Sequence, residues 1–239
     1  MCAQPIWHSA QVSLIGELLA LPAVSGPQAG VTGLGRLERV TDLAGVIVFG
    51  LSGAVLAIRK QFDLVGIVVL AVTTALGGGI LRDLLIADGP PRALRDSWYL
   101  VLAVGTALLA AVGHPLLSRF TRAVLVFDAL GLGLYCVVGA AQGMGAGFSV
   151  AAAVVLGGLS AVGGGILRDV LAQEVPVVFR ADSRLYAIPA AGGALVTAIL
   201  WQADLYGPVT VSITVALVVV VRLVSLRLGW RAPRARGSR

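Results

Sequence analysis

The chain has 239 residues, of which 58% are hydrophobic and only 13% are charged, and its mean hydropathy is +0.94. A soluble domain carries about a quarter charged residues, so this composition excludes an ordinary soluble domain and indicates a protein solvated by lipid. The formal net charge of +6 does not indicate nucleic-acid binding, because the basic residues form short clusters between apolar runs, where they serve as topology signals or lipid headgroup contacts.

Residues 1–38 differ from the rest of the chain. Their apolar patch, Val12 to Val24, is interrupted by Glu17 and Pro22 and is too short for a membrane span. A basic region at the start, which a signal peptide needs, is missing. We expect a poorly ordered or interfacial extension here; a misplaced start codon is the alternative.

Seven apolar segments follow, each near the ~20 residues that cross ~30 Å of hydrocarbon. We predict membrane helices at 41–58, 64–86, 97–116, 123–143, 148–172, 185–202 and 208–227, then a basic cytoplasmic tail at 229–239. With the N-terminus outside, eleven arginines and lysines lie on the cytoplasmic side and four outside, so the positive-inside rule favours N-out and C-in.

An internal repeat organises these segments. The motif Gly77–Asp83 (Gly-Gly-Gly-Ile-Leu-Arg-Asp) recurs as Gly163–Asp169 at an offset of 86 residues, and the same offset aligns Asp42 with Asp128 without a gap. Each repeat, 41–117 and 123–203, contains three predicted spans. Because three is odd, the second copy enters the membrane from the opposite side. The predicted fold is therefore all-α, with two inverted three-helix repeats and a seventh helix at 207–228.

The glycine triplets predict a break in the second and fifth spans. Each glycine costs a helix about 1 kcal/mol relative to Ala, and the freed backbone groups could line a transport pathway. The alternative is close packing of helices through small residues. The predicted pathway comprises Gly77, Gly78, Gly79, Gly163, Gly164, Gly165, Thr74 and Ser160. Other hydroxyl-bearing candidates inside the spans are Ser52, Thr73, Tyr135 and Thr197.

Ionisable residues inside a membrane are costly and need partners. Neighbouring side chains diverge on a helix, so we expect Arg82 not to pair with Asp83, nor Arg168 with Asp169. Their positions along the spans predict the pairs Arg82–Asp42 and Arg168–Asp128. The cross-repeat pairs, Arg82 with Asp169 and Arg168 with Asp83, are less favoured because their members lie on opposite sides of the midplane. The alternative to a functional role is that these pairs anchor helices.

Other chemistry is poorly represented. The two histidines and two cysteines have no metal-ligand spacing, and there is no phosphate-binding loop, dinucleotide fingerprint or nucleophile–base arrangement. We therefore expect no cofactor, no metal site and no enzymatic activity.

The paired glycine motifs and the repeat plan resemble the bacterial branch of the trimeric intracellular cation (TRIC) channel family, also called the UPF0126 or glycine-transporter-domain family. The resemblance covers residues 40–228. It implies a homotrimer in the bacterial inner membrane, with a K⁺-permeable pore in each subunit and kinked second and fifth spans. Animal relatives carry a Lys-Glu-Val-type stretch where this chain has Ile80–Asp83, so animal-type gating is not implied. Two alternatives remain: a carrier of glycine or another small neutral amino acid, and a membrane assembly protein without transport.

Overall fold

The computed structural model describes residues 31–113, 123–180 and 186–230, with side chains from Gly35 onward. Apart from Val31, these residues fall in one compact unit that begins at Thr32. The helices are α1 (Val31–Arg59), α2 (Leu64–Ile86), α3 (Arg92–Arg95), α4 (Ser97–Val112), α5 (Ala123–Gly145), α6 (Val150–Leu171), α7 (Ala187–Gln202) and α8 (Pro208–Leu228), with one 3₁₀ turn at Val177–Phe179. No strand occurs within the described ranges.

Five of these helices, α1, α2, α5, α6 and α8, are long and apolar enough to cross a membrane. The shorter helices α4 and α7 are also apolar and have 16 residues each. Many of their apolar side chains face outward, as in Leu109, which is 74% exposed, and such outward apolar surface suits contact with lipid. The chain is therefore a helical membrane protein.

The first helix begins earlier than predicted. Residues 31–38, which we assigned to a poorly ordered extension, are helical and continuous with the first span. This stretch contains Arg36 and Glu38, and charged residues of this kind suit a part of a helix that extends beyond the hydrocarbon. Residues 1–30 of the predicted extension, and the predicted tail from 231 onward, lie outside the described residues.

The central helices of the two repeats, α2 and α6, begin with equivalent side-chain caps. The Asp63 side chain accepts a hydrogen bond from the Gly66 amide at 2.7 Å and caps α2. Ser149, 86 residues later, accepts one from the Ala152 amide at 3.3 Å and caps α6. Side-chain caps satisfy amides that have no partner in the first turn, so each repeat sets the start of its central helix in the same way.

Helices α2 and α6 cross antiparallel at the glycine triplets. A Cβ on Gly78 would meet the Ser160 carbonyl oxygen, and a Cβ on Gly164 would meet the Thr74 carbonyl oxygen. Residue numbers rise along one helix as they fall along the other, so the helices run in opposite directions. The 86-residue offset exchanges the two contacts, as a pseudo-two-fold axis through the crossing requires.

Candidate functional site

The predicted break at the glycine triplets was wrong. Helix α2 runs without interruption through Gly77–Gly79, and α6 through Gly163–Gly165. Unwinding in lipid would expose backbone groups at several kcal/mol each, more than the ~1 kcal/mol that each glycine costs the helix. The glycines instead let two backbones touch, as in the alternative of close packing.

The predicted pathway hydroxyls lie beside this crossing. Thr74 and Ser160 are both fully buried. The Thr74 hydroxyl donates to the Leu70 carbonyl at 2.6 Å, so it is satisfied by the preceding turn. The Ser160 hydroxyl is buried and makes no hydrogen bond within the described part of the chain. The crossing therefore holds one satisfied and one unsatisfied hydroxyl, both packed away from open space.

A charged cluster lies at one end of the crossing helices and contains Arg82, Asp42, Asp83 and Tyr99. The Arg82 side chain is 1% exposed, and its two Nη atoms donate to the two Oδ atoms of Asp42 at 3.0 Å each. Tyr99 donates its hydroxyl proton to Asp42 Oδ2 at 3.0 Å. A buried guanidinium needs such a bidentate partner, so the predicted Arg82–Asp42 pair joins α2 to α1.

The matching cluster in the second repeat contains Arg168, Asp128, Asp169 and Tyr186. Arg168 Nη1 donates to Asp128 Oδ1 at 2.7 Å, and the Tyr186 hydroxyl donates to the same oxygen at 3.2 Å. Arg168 also donates to the Ser52 hydroxyl at 2.6 Å, which adds a contact across the repeats. The predicted Arg168–Asp128 pair therefore joins α6 to α5.

The expectation that adjacent residues would not pair was wrong. Arg82 Nε donates to Asp83 Oδ1 at 2.9 Å, and Arg168 Nε donates to Asp169 Oδ1 at the same distance. The divergence of neighbouring side chains applies at Cβ, whereas the long arginine stem folds back far enough to reach. The cross-repeat pairs do not occur among the ion pairs of the described residues, because their two members lie at opposite ends of the crossing helices.

Each adjacent aspartate also organises the segment that follows. Asp83 Oδ2 accepts the backbone N–H of Arg92 at 2.8 Å, and Asp169 Oδ2 accepts that of Val177 at 2.9 Å. These acceptors hold α3 and the 3₁₀ turn, the equivalent short elements of the two repeats, against the arginines. The aspartates of the motif therefore bridge a buried charge and a loop.

The formal charges of the clusters favour cations over anions. Each cluster combines one guanidinium with two carboxylates, for a formal charge of −1. In the second cluster the Arg222 guanidinium lies 4.7 Å from the centre of the Tyr186 ring and adds positive charge there. The end near Arg82 is therefore the more negative one. In the described ranges no group of three His, Cys, Asp or Glu side chains could hold a metal ion.

Sequence reasoning missed several members of these clusters. Tyr99 and Tyr186 both donate to the paired aspartate but are offset by 87 residues rather than 86, so a strict register overlooks them. Ser52 was considered only as a pathway residue. A buried glutamate, Glu38, and a buried glutamine, Gln142, were not singled out. Polar residues at the edges of predicted spans were the signal available.

Comparisons with known proteins agree with the repeat plan. The sequence profile of the family described as Glycine transporter matches residues 39–115 and 125–202, one match per repeat. A UPF0126 membrane protein of Deinococcus radiodurans is 47% identical over 64% of this chain and 71% of its own length. The UPF0126 inner membrane protein YadS of Escherichia coli is 34% identical over 80% of this chain and 93% of its own length.

Solved structures show the same fold. A TRIC cation channel matches with a TM-score of 0.74 at 31% identity, covering 84% of this chain and 98% of the channel. The TRIC channel orthologue of Rhodobacter sphaeroides matches with a TM-score of 0.73 at 29% identity, covering 80% of this chain and 98% of the orthologue. The chain therefore belongs to the Glycine transporter (UPF0126) family of membrane proteins, whose fold it shares with the TRIC channels.

Proposed function

We propose that the protein is a cation channel of the bacterial inner membrane that conducts K⁺, assembled as a homotrimer with a pore in each subunit. The observation that carries the proposal is the likeness to TRIC cation channels over 98% of the length of the matched chains. The negative formal charge of the Arg82 cluster supports cations as the permeant species, since groups of carboxylates favour them.

The proposed pathway passes the crossing of α2 and α6. The glycine triplets leave the carbonyl oxygens of Thr74 and Ser160 without a covering side chain, and carbonyl oxygens are the ligands that replace water around K⁺. In the described state each carbonyl is covered by a glycine of the other helix. Conduction in this proposal therefore requires α2 and α6 to separate at the crossing, with Thr74 and Ser160 hydroxyls as further ligands.

The proposed topology has seven spans, with the N-terminus outside and the C-terminus in the cytoplasm. The antiparallel crossing of α2 and α6 supports the number of spans, and the excess of arginines and lysines on one side supports the orientation. The chain can bring α6 antiparallel to α2 only if it crosses the membrane an even number of times between them. If α5 is one of these crossings, α4 must be the other. A 16-residue helix rises about 24 Å, so α4 and α7 are short but sufficient where the bilayer thins or flanking residues complete them.

Reconstitution into liposomes tests the proposal directly. Purified protein in vesicles loaded with K⁺ should give K⁺ efflux down its gradient, with little anion flux. The same vesicles should show no saturable uptake of labelled glycine. Empty vesicles are the control. Saturable glycine uptake without K⁺ efflux would replace the channel with the amino-acid carrier. Absence of both fluxes from correctly folded protein would leave a membrane assembly role.

A further inference from the structure

A second group of buried polar side chains lies near the N-terminal end of α1 and is separate from the arginine clusters. We call it the α1–α5 polar cluster; it consists of Glu38 in α1, Gln142 in α5 and Tyr206 just before α8. Glu38 is 9% exposed and Gln142 is 5% exposed, and the Tyr206 hydroxyl oxygen is buried. Three buried polar groups therefore come from three different segments of the chain.

These groups have unused hydrogen-bonding capacity. The Gln142 amide lies within reach of the Glu38 carboxylate, but neither Nε2 nor Oε1 has hydrogen-bond geometry with any group of the residues described. The Tyr206 hydroxyl also lacks a partner there. The Tyr206 ring packs against Trp201 with 5.1 Å between ring centroids, and a Cβ on Gly145, one turn beyond Gln142, would lie 3.6 Å from the same indole ring. Tyr206 therefore lies beside this end of α5, where burial and the negative charge of Glu38 raise its pKa. Buried polar atoms are rarely left unpaired, so these side chains favour a polar ligand between them.

The other repeat serves as an internal control. At the 86-residue offset, Glu38 corresponds to Val124 and Gln142 corresponds to Leu56. Both Val124 and Leu56 are buried members of an apolar cluster. The fold can therefore fill these two positions with apolar side chains. Polar side chains stand there only at the end of the protein that contains Glu38 and Gln142.

The buried part of the cluster has a formal negative charge, from Glu38, and is rich in oxygen ligands. Among the ion pairs of the described residues, Glu38 has one partner, Arg92, whose Nη1 lies 4.0 Å from Glu38 Oε2. Arg92 is 43% exposed, so its guanidinium faces outward while the carboxylate stays inside. A carboxylate, an amide oxygen and a phenol oxygen suit a hard cation, and a single carboxylate suits a monovalent one better than Ca²⁺ or Mg²⁺.

We propose that Glu38, Gln142 and Tyr206 form a binding site for a monovalent cation, of the size of K⁺, at the end of the protein where α1 begins. The nearby Arg82 cluster, with its formal charge of −1, adds to the attraction. The role of this site depends on the proposed channel function: it would concentrate cations at one mouth of the pathway. It makes the two mouths unequal, because Val124 and Leu56 occupy the equivalent place at the other end.

Thermal unfolding of the full-length protein in detergent measures this site without transport. KCl is titrated against choline chloride at constant ionic strength, and K⁺ binding appears as a saturating rise in Tm. Glu38→Gln should weaken K⁺ binding and raise the half-saturating K⁺ concentration about tenfold or more, since it removes the charged ligand. Gln142→Leu, which introduces the residue found at the equivalent position Leu56, should also raise this concentration. Glu174→Gln, an acid of the protein surface, is the control and should leave it unchanged.

Arg92 gives a test whose sign identifies the ligand. If the site holds a bare cation, Arg92→Gln removes a competing charge and should tighten K⁺ binding about three- to tenfold. A site for a zwitterionic amino acid would need Arg92 for the carboxylate; loss of glycine-dependent stabilisation in Arg92→Gln, with no K⁺ effect in any variant, would overturn the cation site. An unchanged K⁺ response in folded Glu38→Gln would overturn it too.

The outcomes separate this site from the channel proposal. K⁺ currents without a Glu38-dependent shift in Tm would remove the site and keep the channel. A Glu38-dependent shift without currents would keep the site and remove the channel. If Glu38→Gln fails to fold, the opposite changes expected for Gln142→Leu and Arg92→Gln decide the question.

Discussion

Adding one methyl group at the helix crossing should separate packing from helix propensity. In Gly78→Ala the new Cβ would meet the Ser160 carbonyl oxygen, a backbone atom that cannot rotate away. Overpacking of this kind costs about 1–3 kcal/mol. Gly→Ala also favours a helix by about 1 kcal/mol, which masks part of that cost. A control is needed that has the same propensity gain and no clash.

Gly158 provides that control. It lies in α6, and a Cβ there would meet nothing within 4 Å. The propensity gain cancels between the two variants, so the free energy of unfolding of Gly78→Ala should lie about 1–3 kcal/mol below that of Gly158→Ala. Gly164→Ala, whose Cβ would meet the Thr74 carbonyl, should match Gly78→Ala because the pseudo-two-fold axis relates them.

Reversible unfolding in mixed detergent micelles, followed by helical circular dichroism, measures these differences. K⁺ flux from vesicles should fall in Gly78→Ala and Gly164→Ala and stay at the wild-type level in Gly158→Ala. Equal stability for Gly78→Ala and Gly158→Ala would refute the direct backbone contact. A large cost at Gly78 with none at Gly164 would refute the symmetric crossing.

Three further predictions concern the charged residues. Asp42→Asn leaves the Arg82 guanidinium short of a counter-charge and should cost about 3–5 kcal/mol of unfolding free energy; the double variant with Arg82→Gln should recover part of it, and purely additive effects would argue against the pair. Tyr99→Phe removes one hydrogen bond to Asp42 and should cost about 1.5–3 kcal/mol in the same assay. The pKa of Glu174 is lowered by its hydrogen bond with Lys60, so its stabilisation should be present above the unfolded pKa of about 4.3 and lost as the pH falls through the lower folded value. The Tm difference between wild type and Glu174→Gln should therefore shrink as the pH falls below about 4.3 and vanish once the pH is below the folded pKa.

Most helix positions among the described residues, and the contacts Arg82–Asp42 and Arg168–Asp128, followed from sequence because they depend on simple regularities. Long apolar runs predict spans, and α2 agrees with its prediction at both ends, Leu64 and Ile86. The predicted spans put Asp42 at the same end as Arg82, and the repeat put Asp128 at the same end as Arg168, which favoured these two pairs. The register of a duplicated motif thus carries three-dimensional information that a single copy lacks.

The continuity of α2 and α6 could not be read from sequence, because propensity and packing oppose each other at a glycine triplet. The local cost of Gly77–Gly79 is visible in the chain, whereas the helix that covers them is 86 residues away. Polar additions such as Glu38 and Gln142 raise the same difficulty. Each looks like a span-edge residue until the fold brings both of them beside Tyr206.

The reversal potential of single-channel currents tests the central claim most directly. Protein in a planar bilayer, with a tenfold KCl gradient across it, should give discrete current steps that reverse near the K⁺ equilibrium potential, about 59 mV in magnitude with the sign of a cation. Steps that reverse at the opposite sign would mean anion permeation. Folded protein that gives no steps while taking up glycine in a saturable way would contradict the channel.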